Sequence, residues 1–141
     1  MIVIAHDIRS LHNVGSIFRN AAAFGVEKLL LTGYTAAPPR KEIAKVALGA
    51  EALVPWEQAS IGDAVARCRA EGYRVLGLET GGDDIRAIRG EKVALVLGNE
   101  VEGIDAATRS LLDGLVEIPM SKKRSLNVSV ASGVAMYVLS Q

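Results

Sequence analysis

Cysteine is almost missing from this chain: Cys68 is the only one in 141 residues. No internal disulfide can form, and the expectation is a reducing, cytoplasmic setting. Aromatic residues make up only 4%, so a core has to be assembled from Val, Leu, Ile and Ala. Neither sign of charge is in excess, with 16 Lys plus Arg against 16 Asp plus Glu. Bulk charge therefore does not mark a nucleic-acid binder, although a local basic patch would not show in the sum. No apolar run is long enough to span a membrane, and the N-terminal residues lack a signal-peptide pattern, so no membrane partner is expected. The two histidines, His6 and His12, lack Cys or acidic partners at ligand spacing, and no metal site is expected.

What the chain does have is apolar residues, half of the total. Its length fits one domain, expected over 1–141, that buries roughly two-thirds of the surface its unfolded chain exposes. Residues 1–5 are apolar and β-branched and read as a buried strand. Asn13 is placed to cap a helix over 14–24, with Gly25 as its terminator and Val14, Ile17, Phe18, Ala21 and Ala22 as its core face. Gly15 is read as leaving room beside Arg19, four residues on. A second strand spans 28–32. A helical turn or two over 41–48 ends at Gly49, and 53–56 is a short extended piece that Pro55 keeps off a central ladder position. Ser60 with Asp63 opens a helix through 71 that Gly72 stops, with Cys68 on its apolar face as core. Strands follow at 74–78, 92–97 and 115–118, and Asp105 caps a short helix to 113.

Strands alternate with helices throughout. The fold class is α/β, a mostly parallel sheet with helices on both faces. Ligands of such sheets sit beyond the C-terminal ends of the strands. The polar loops there are 6–13, 79–84, 98–103 and 121–127. The last of them leads into an almost uncharged helix opened by Ser125-Leu126-Asn127. Its apolar residues Val128, Val130, Ala131, Val134, Ala135, Tyr137 and Val138 cover more than one stripe, so protein is expected on most of its sides.

Three segments carry a further signal: Asn13-Val-Gly15-Ser-Ile-Phe-Arg19, Leu95-Val-Leu-Gly98-Asn99-Glu100-Val-Glu-Gly103-Ile104, and Ile118-Pro119-Met120 followed by Ser125-Leu126-Asn127-Val-Ser129. Each is weak alone. In this order and spacing they resemble the three motifs of the SpoU/TrmH-type RNA ribose 2′-O-methyltransferases of the SPOUT superfamily. The resemblance runs from about His6 to the C-terminus. It implies a C-terminal trefoil knot, S-adenosylmethionine as cofactor, tRNA or rRNA as substrate, and a homodimer with the site near the subunit interface. The family's larger members add RNA-recognition extensions, and this chain looks like a minimal, single-domain form.

By that resemblance, backbone groups at Ile118, Met120 and Leu126 hold the cofactor's adenine and ribose, and Leu78 lines the same pocket from a matching strand end. Gly98 and Gly103 let backbone approach a ligand and adopt positive φ. Glu100, counted with the candidate catalytic residues, is either a solvated loop acid or a partner for a nearby Arg or Asn. Arg19 resembles the motif-one arginine that acts on the ribose hydroxyl. A guanidinium has a pKa above about 12, so its expected role is to position hydroxyl and phosphate and to stabilise developing alkoxide charge. Asn13, Ser125 and Asn127 are expected to orient it, as well as to cap helices.

One departure stands out. The loop between Met120 and Ser125 is about a residue shorter than in many members and is basic: Ser121, Lys122, Lys123 and Arg124. It is read as an RNA phosphate clamp that Arg9, Arg40 and Lys41 join from other loops. Two other classes stay open at this point: a methyltransferase of the same superfamily acting on a base, and a non-catalytic RNA-binding or dimerisation module.

Overall fold

The structure, a computed structural model, describes residues 1–141. Its strands are β1 (Ile2–His6), β2 (Lys28–Thr32), β3 (Trp56–Ala59), β4 (Arg74–Asp84), β5 (Val93–Leu97) and β6 (Gly114–Glu117). They form one six-stranded sheet in the order β3-β2-β1-β5-β4-β6. Every neighbouring pair is parallel. The helices are α1 (Leu11–Ala23), α2 (Lys41–Ala47), α3 (Ile61–Ala70), α4 (Ala106–Arg109) and α5 (Val128–Leu139).

Alternation along the central strands sends side chains to two cores. Val3, Ala5, Leu29, Leu31, Leu95 and Leu97 pack under α1, α2 and α5. Ile2, Ile4, Leu30, Ala94 and Val96 pack on the other face against Ala64, Val65 and Cys68 of α3. Both faces are covered, which is why β1 and β5 are apolar without a break. Each large side chain buried in this way contributes roughly 1.5–3 kcal/mol.

The structure corrects several expectations. Helix α1 begins at Leu11, and Ser10 caps it by accepting from the Asn13 amide at 3.1 Å. Asn13 is therefore inside the first turn, and its side chain is free for another partner. A Cβ on Gly15 would lie 2.7 Å from the Ile43 carbonyl oxygen and 2.9 Å from Val46 Cβ. Gly15 thus serves the close contact of α1 with α2, and not the space beside Arg19. Leu48, at φ 52°, takes the left-handed position that ends α2, ahead of Gly49. The extended piece expected at 53–56 is displaced to β3, which begins at Trp56. As an edge strand, β3 carries polar Glu57 and Gln58 and so lacks the apolar signature of a central one. The loop expected at 79–84 is instead the second half of β4. It re-pairs with β6 through a shift of register between Leu78 and Asp83. A Cβ on Gly82 would come within 2.5 Å of the Leu115 backbone, so this glycine serves close strand approach at a bulge.

Helix α5 is the largest correction. Only Ser132, Ala135 and Met136 of it are buried, while Val130 is 52%, Val134 38% and Tyr137 54% exposed. The chain alone does not enclose this helix.

Strand order places the site. From β1 the chain moves outward to β2 and β3, while from β5 it moves the opposite way to β6. Adjacent strands whose connections diverge leave a crevice at their C-terminal ends. The loops after β1 and β5 meet there.

Candidate active site

The loop after β5 closes on itself. The amides of Asn99 and Gly103 each donate to the other's carbonyl, at 3.0 and 2.9 Å. Asn99 Oδ1 accepts from the amides of Val101 and Glu102, both at 2.9 Å. A Cβ on Gly98 would lie 2.7 Å from the Gly103 carbonyl carbon and 2.8 Å from the Ile104 amide. Gly98 therefore permits the tight loop itself. Gly103 takes the positive φ, at 69°, and a Cβ there would meet the Glu79 carboxylate at 2.7 Å. Glu79 braces the loop by accepting from the Ile104 amide at 2.9 Å, with Arg109 at 3.7 Å. Sequence reasoning missed Glu79, because it lies in a segment read as a loop.

Glu100 is no solvated acid. It accepts from the amides of Arg9 and Ser10, at 2.9 and 2.8 Å, and from Asn13 Nδ2 at 3.0 Å. Burial pushes its carboxyl upward, and these hydrogen bonds reverse that, holding it below the ordinary carboxylate range. A carboxylate at the first turn of α1 also faces the positive end of the helix dipole.

This loop forms one wall of a cleft beyond the C-terminal ends of β4, β5 and β6. Leu78, Gly98, Gly103, Ile118, Met120 and Leu126 all line it. So do Glu100, Arg124 and Ser125, together with Glu79 and Thr80. Met120 and Leu126 are 37% and 41% exposed, and their amides make no hydrogen bond within the chain. The lining mixes apolar side chains with polar and charged ones, and two of the lining residues have free amide donors, a combination that suits a heteroaromatic ligand with acceptors on its rim.

Arg19 is elsewhere. It is exposed on α1 and lines a separate hollow with Ser16, Asn20, Phe24, Ser129 and Gly133. The expectation that Asn13, Ser125 and Asn127 orient Arg19 does not hold within one chain. Six positions along a helix of about 3.6 residues per turn put Arg19 and Asn13 on different faces. Asn13 serves Glu100, and Asn127 caps α5 by accepting from the Ser129 amide at 2.9 Å. Asn20, also missed, joins α1 to α5 by donating to the Ser129 carbonyl at 2.8 Å and to Ser132 Oγ at 3.0 Å.

The basic residues Arg9, Lys122, Lys123 and Arg124 are exposed, as are Arg40 and Lys41. Arg40 has Glu42 as a neighbour at 3.7 Å. His6 does have acidic neighbours: its Nε2 lies 3.4 Å from Asp7 and 4.0 Å from Asp105. Asp105 is distant in sequence, so spacing could not show it. Each group already has a protein partner: His6 Nδ1 meets Thr32 Oγ1 at 2.9 Å, Asp7 Oδ1 accepts from the Tyr34 amide, and Asp105 caps α4.

Comparison with known proteins follows the same lines. The family model described as SpoU rRNA Methylase family matches residues 1–137. A 23S rRNA (guanosine-2′-O-)-methyltransferase, RlmB, of Vibrio vulnificus is 32% identical over 141 residues, covering 97% of this chain and 57% of that protein. An AdoMet-bound rRNA methyltransferase from Sinorhizobium meliloti superposes with a TM-score of 0.89 at 28% identity, over 97% of this chain and 54% of that one. The SpoU methyltransferase AviRb from Streptomyces viridochromogenes, in complex with AdoMet, gives 0.87 at 28% identity, over 98% and 56%. The chain thus spans about half the length of the curated relatives it matches.

Proposed function

The chain belongs to the SpoU rRNA methylase family, and on that footing we propose that it transfers the methyl group of S-adenosylmethionine to a ribose 2′-hydroxyl of tRNA or rRNA. One observation carries this reading: all six residues assigned to the cofactor line a single cleft beyond the C-terminal ends of β4, β5 and β6. Relatives named as ribose methyltransferases and neighbours solved with AdoMet support it.

S-adenosylmethionine, when bound, supplies a sulfonium methyl that is already electrophilic. The protein's work is then positioning. The apolar side chains of Leu78, Ile118 and Leu126 would hold the adenine, and the free amides of Met120 and Leu126 would be the donors available to it. The brace of Glu79 and the self-bonded loop 98–103 keep the wall rigid. Glu100 holds the first turn of α1 against that wall, so the two halves of the crevice keep one geometry. Lys122, Lys123 and Arg124 neutralise RNA phosphates at the mouth.

We assign Arg19 to the same reaction through a second copy of the chain. The exposed apolar face of α5, with Val130, Val134 and Tyr137, adjoins the Arg19 hollow. An isologous contact through this face forms a homodimer and brings Arg19 to the partner's cleft. There the planar guanidinium grips phosphate and hydroxyl together and stabilises the developing alkoxide. The C-terminal trefoil knot belongs to this proposal. The packing of α5 against α1 and the 3-10 turn Ile85–Ala87, away from the edge strand β6 that precedes it, supports threading of the chain past the β4–β5 connection.

The test uses purified chain, S-adenosylmethionine with a labelled methyl group and total RNA, with nucleosides resolved by mass spectrometry after digestion. Labelled 2′-O-methylnucleosides are expected. Label on a base, or cofactor binding without any transfer, overturns the ribose reading.

A further inference from the structure

We propose that Tyr34 is a stacking platform for an unpaired nucleobase of the RNA, beside the nucleotide whose ribose enters the cleft; this rests on the RNA methyltransferase reading above. The residue is 59% exposed, yet it is held at its backbone and at its hydroxyl. Its amide donates to Asp7 Oδ1 at 3.1 Å, and its hydroxyl accepts from Asn99 Nδ2 at 2.7 Å. Asn99 itself lines the cleft and precedes Glu100. The next residue, Thr35, is buried and fixes the same loop: its hydroxyl accepts from the Ile8 amide and donates to the Ala5 carbonyl, both at 2.9 Å.

The backbone around the ring is unusual. Asp7 has φ 53° and Gly33 φ 62°, left-handed values that only glycine adopts freely. A side chain on Gly33 would collide with the Asp7 carboxylate. Two such positions in contact hold an aromatic ring out in solvent, where apolar burial does not favour it. The ring is in no aromatic pair and has no cation over it: the aromatic pair of the molecule is Phe24 with Tyr137, and the cation over a ring is Lys92 on Tyr73.

Three cations stand on the same loops, beside the Asp7 carboxylate that holds the Tyr34 amide. Arg9 follows Ile8, which is bonded to Thr35, and Arg40 with Lys41 closes the loop that Tyr34 opens; all three are exposed. An exposed, pre-oriented aromatic with cations on its flanking loops suits single-stranded RNA, the ring taking a base and the cations the phosphates. A ring already fixed loses little freedom when a base stacks on it. The ribose must leave a helical stack to reach the cleft, and Tyr34 replaces the stacking its neighbour loses.

The experiment compares the full chain with Tyr34→Ala and Tyr34→Phe. Fluorescence anisotropy follows a short labelled oligouridylate and a blunt RNA duplex, and calorimetry follows S-adenosylmethionine. Tyr34→Ala is expected to weaken oligouridylate binding about tenfold, with duplex binding and cofactor affinity unchanged. Tyr34→Phe keeps the ring and is expected to stay near wild type. A role limited to bracing Asn99 makes the opposite demand: Phe, lacking the hydroxyl, is then as damaging as Ala, and cofactor affinity falls in both. That pattern, or an indifferent Tyr34→Ala, overturns the proposal. A wild-type chain that binds oligouridylate but no S-adenosylmethionine overturns the methyltransferase reading and leaves the stacking role standing.

Discussion

Glu100 accepts a hydrogen bond from Asn13 at 3.0 Å across a sequence separation of 87 residues. With the amides of Arg9 and Ser10 on the same carboxylate, this pair fastens the loop after β5 to the first turn of α1. It is the joint between the cleft wall assigned to the cofactor and the helix of the first motif.

Removing the carboxylate tests that joint. Glu100→Ala leaves the part-buried Asn13 amide and two backbone donors without their acceptor. An unsatisfied buried donor costs about 1–3 kcal/mol, and urea unfolding at neutral pH is expected to show a loss of that order. An unchanged midpoint and slope would falsify the claim that the joint is structural.

The same carboxylate predicts a pH dependence. Its folded pKa lies below the unfolded value of an ordinary Glu. Its stabilisation is therefore fully present above the ordinary carboxylate range and is lost as pH falls through the lowered value. The stability gap between wild type and Glu100→Gln is expected to narrow as unfolding is measured from neutral pH down into that range. A gap that widens on acidification contradicts the assignment.

Gly98→Val is expected to abolish detectable S-adenosylmethionine binding and to lower thermal stability. The new side chain meets backbone of Gly103 and Ile104 at under 3 Å, by the 2.7 and 2.8 Å of a bare Cβ, so the loop must open. Calorimetry and a melting curve on one preparation read both effects. A folded variant of unchanged affinity would remove the loop from the cofactor pocket.

The exposed face of α5 predicts a dimer at micromolar concentration in sedimentation velocity. Val134→Glu places a charge in the middle of that face and is expected to yield monomer, because burying an unpaired carboxylate opposes association. Wild type that sediments only as monomer ends both the dimer and the shared site.

Arg19→Ala is expected to lower single-turnover methyl transfer at saturating RNA by at least about 10²–10³-fold with cofactor affinity intact, and Arg19→Lys is not expected to rescue it. Mixed dimers of Arg19→Ala with Gly98→Val subunits regain activity if Arg19 acts across the interface, because each keeps one complete site. Near-normal transfer by Arg19→Ala reduces Arg19 to an RNA contact.

Much of this architecture was legible in the residues. A strand covered on both faces has to be apolar without interruption, which located β1, β2 and β5. Ser60, Asp105 and Asn127 begin helices because a short polar side chain there satisfies a free amide. The six positions assigned to the cofactor line one cleft because the loops after neighbouring parallel strands open at the same edge of the sheet.

Other features depended on which atoms meet in space. Sequence alone left Glu100 undecided between solvent and a partner, and the divergence of β1 and β5 delivers Asn13 to it. Gly81-Gly82 has the composition of a turn, yet it lies inside β4, since only contact with the Leu115 backbone shows what the missing side chain is for. Motif order put Arg19 beside Asn13, and helical rotation set them on different faces of α1. The chain's own residues determined which groups are available for chemistry, through local periodicity and capping. Which of those groups share a site was decided by strand order and helix rotation, because long-range proximity belongs to the packed fold and has no local signature.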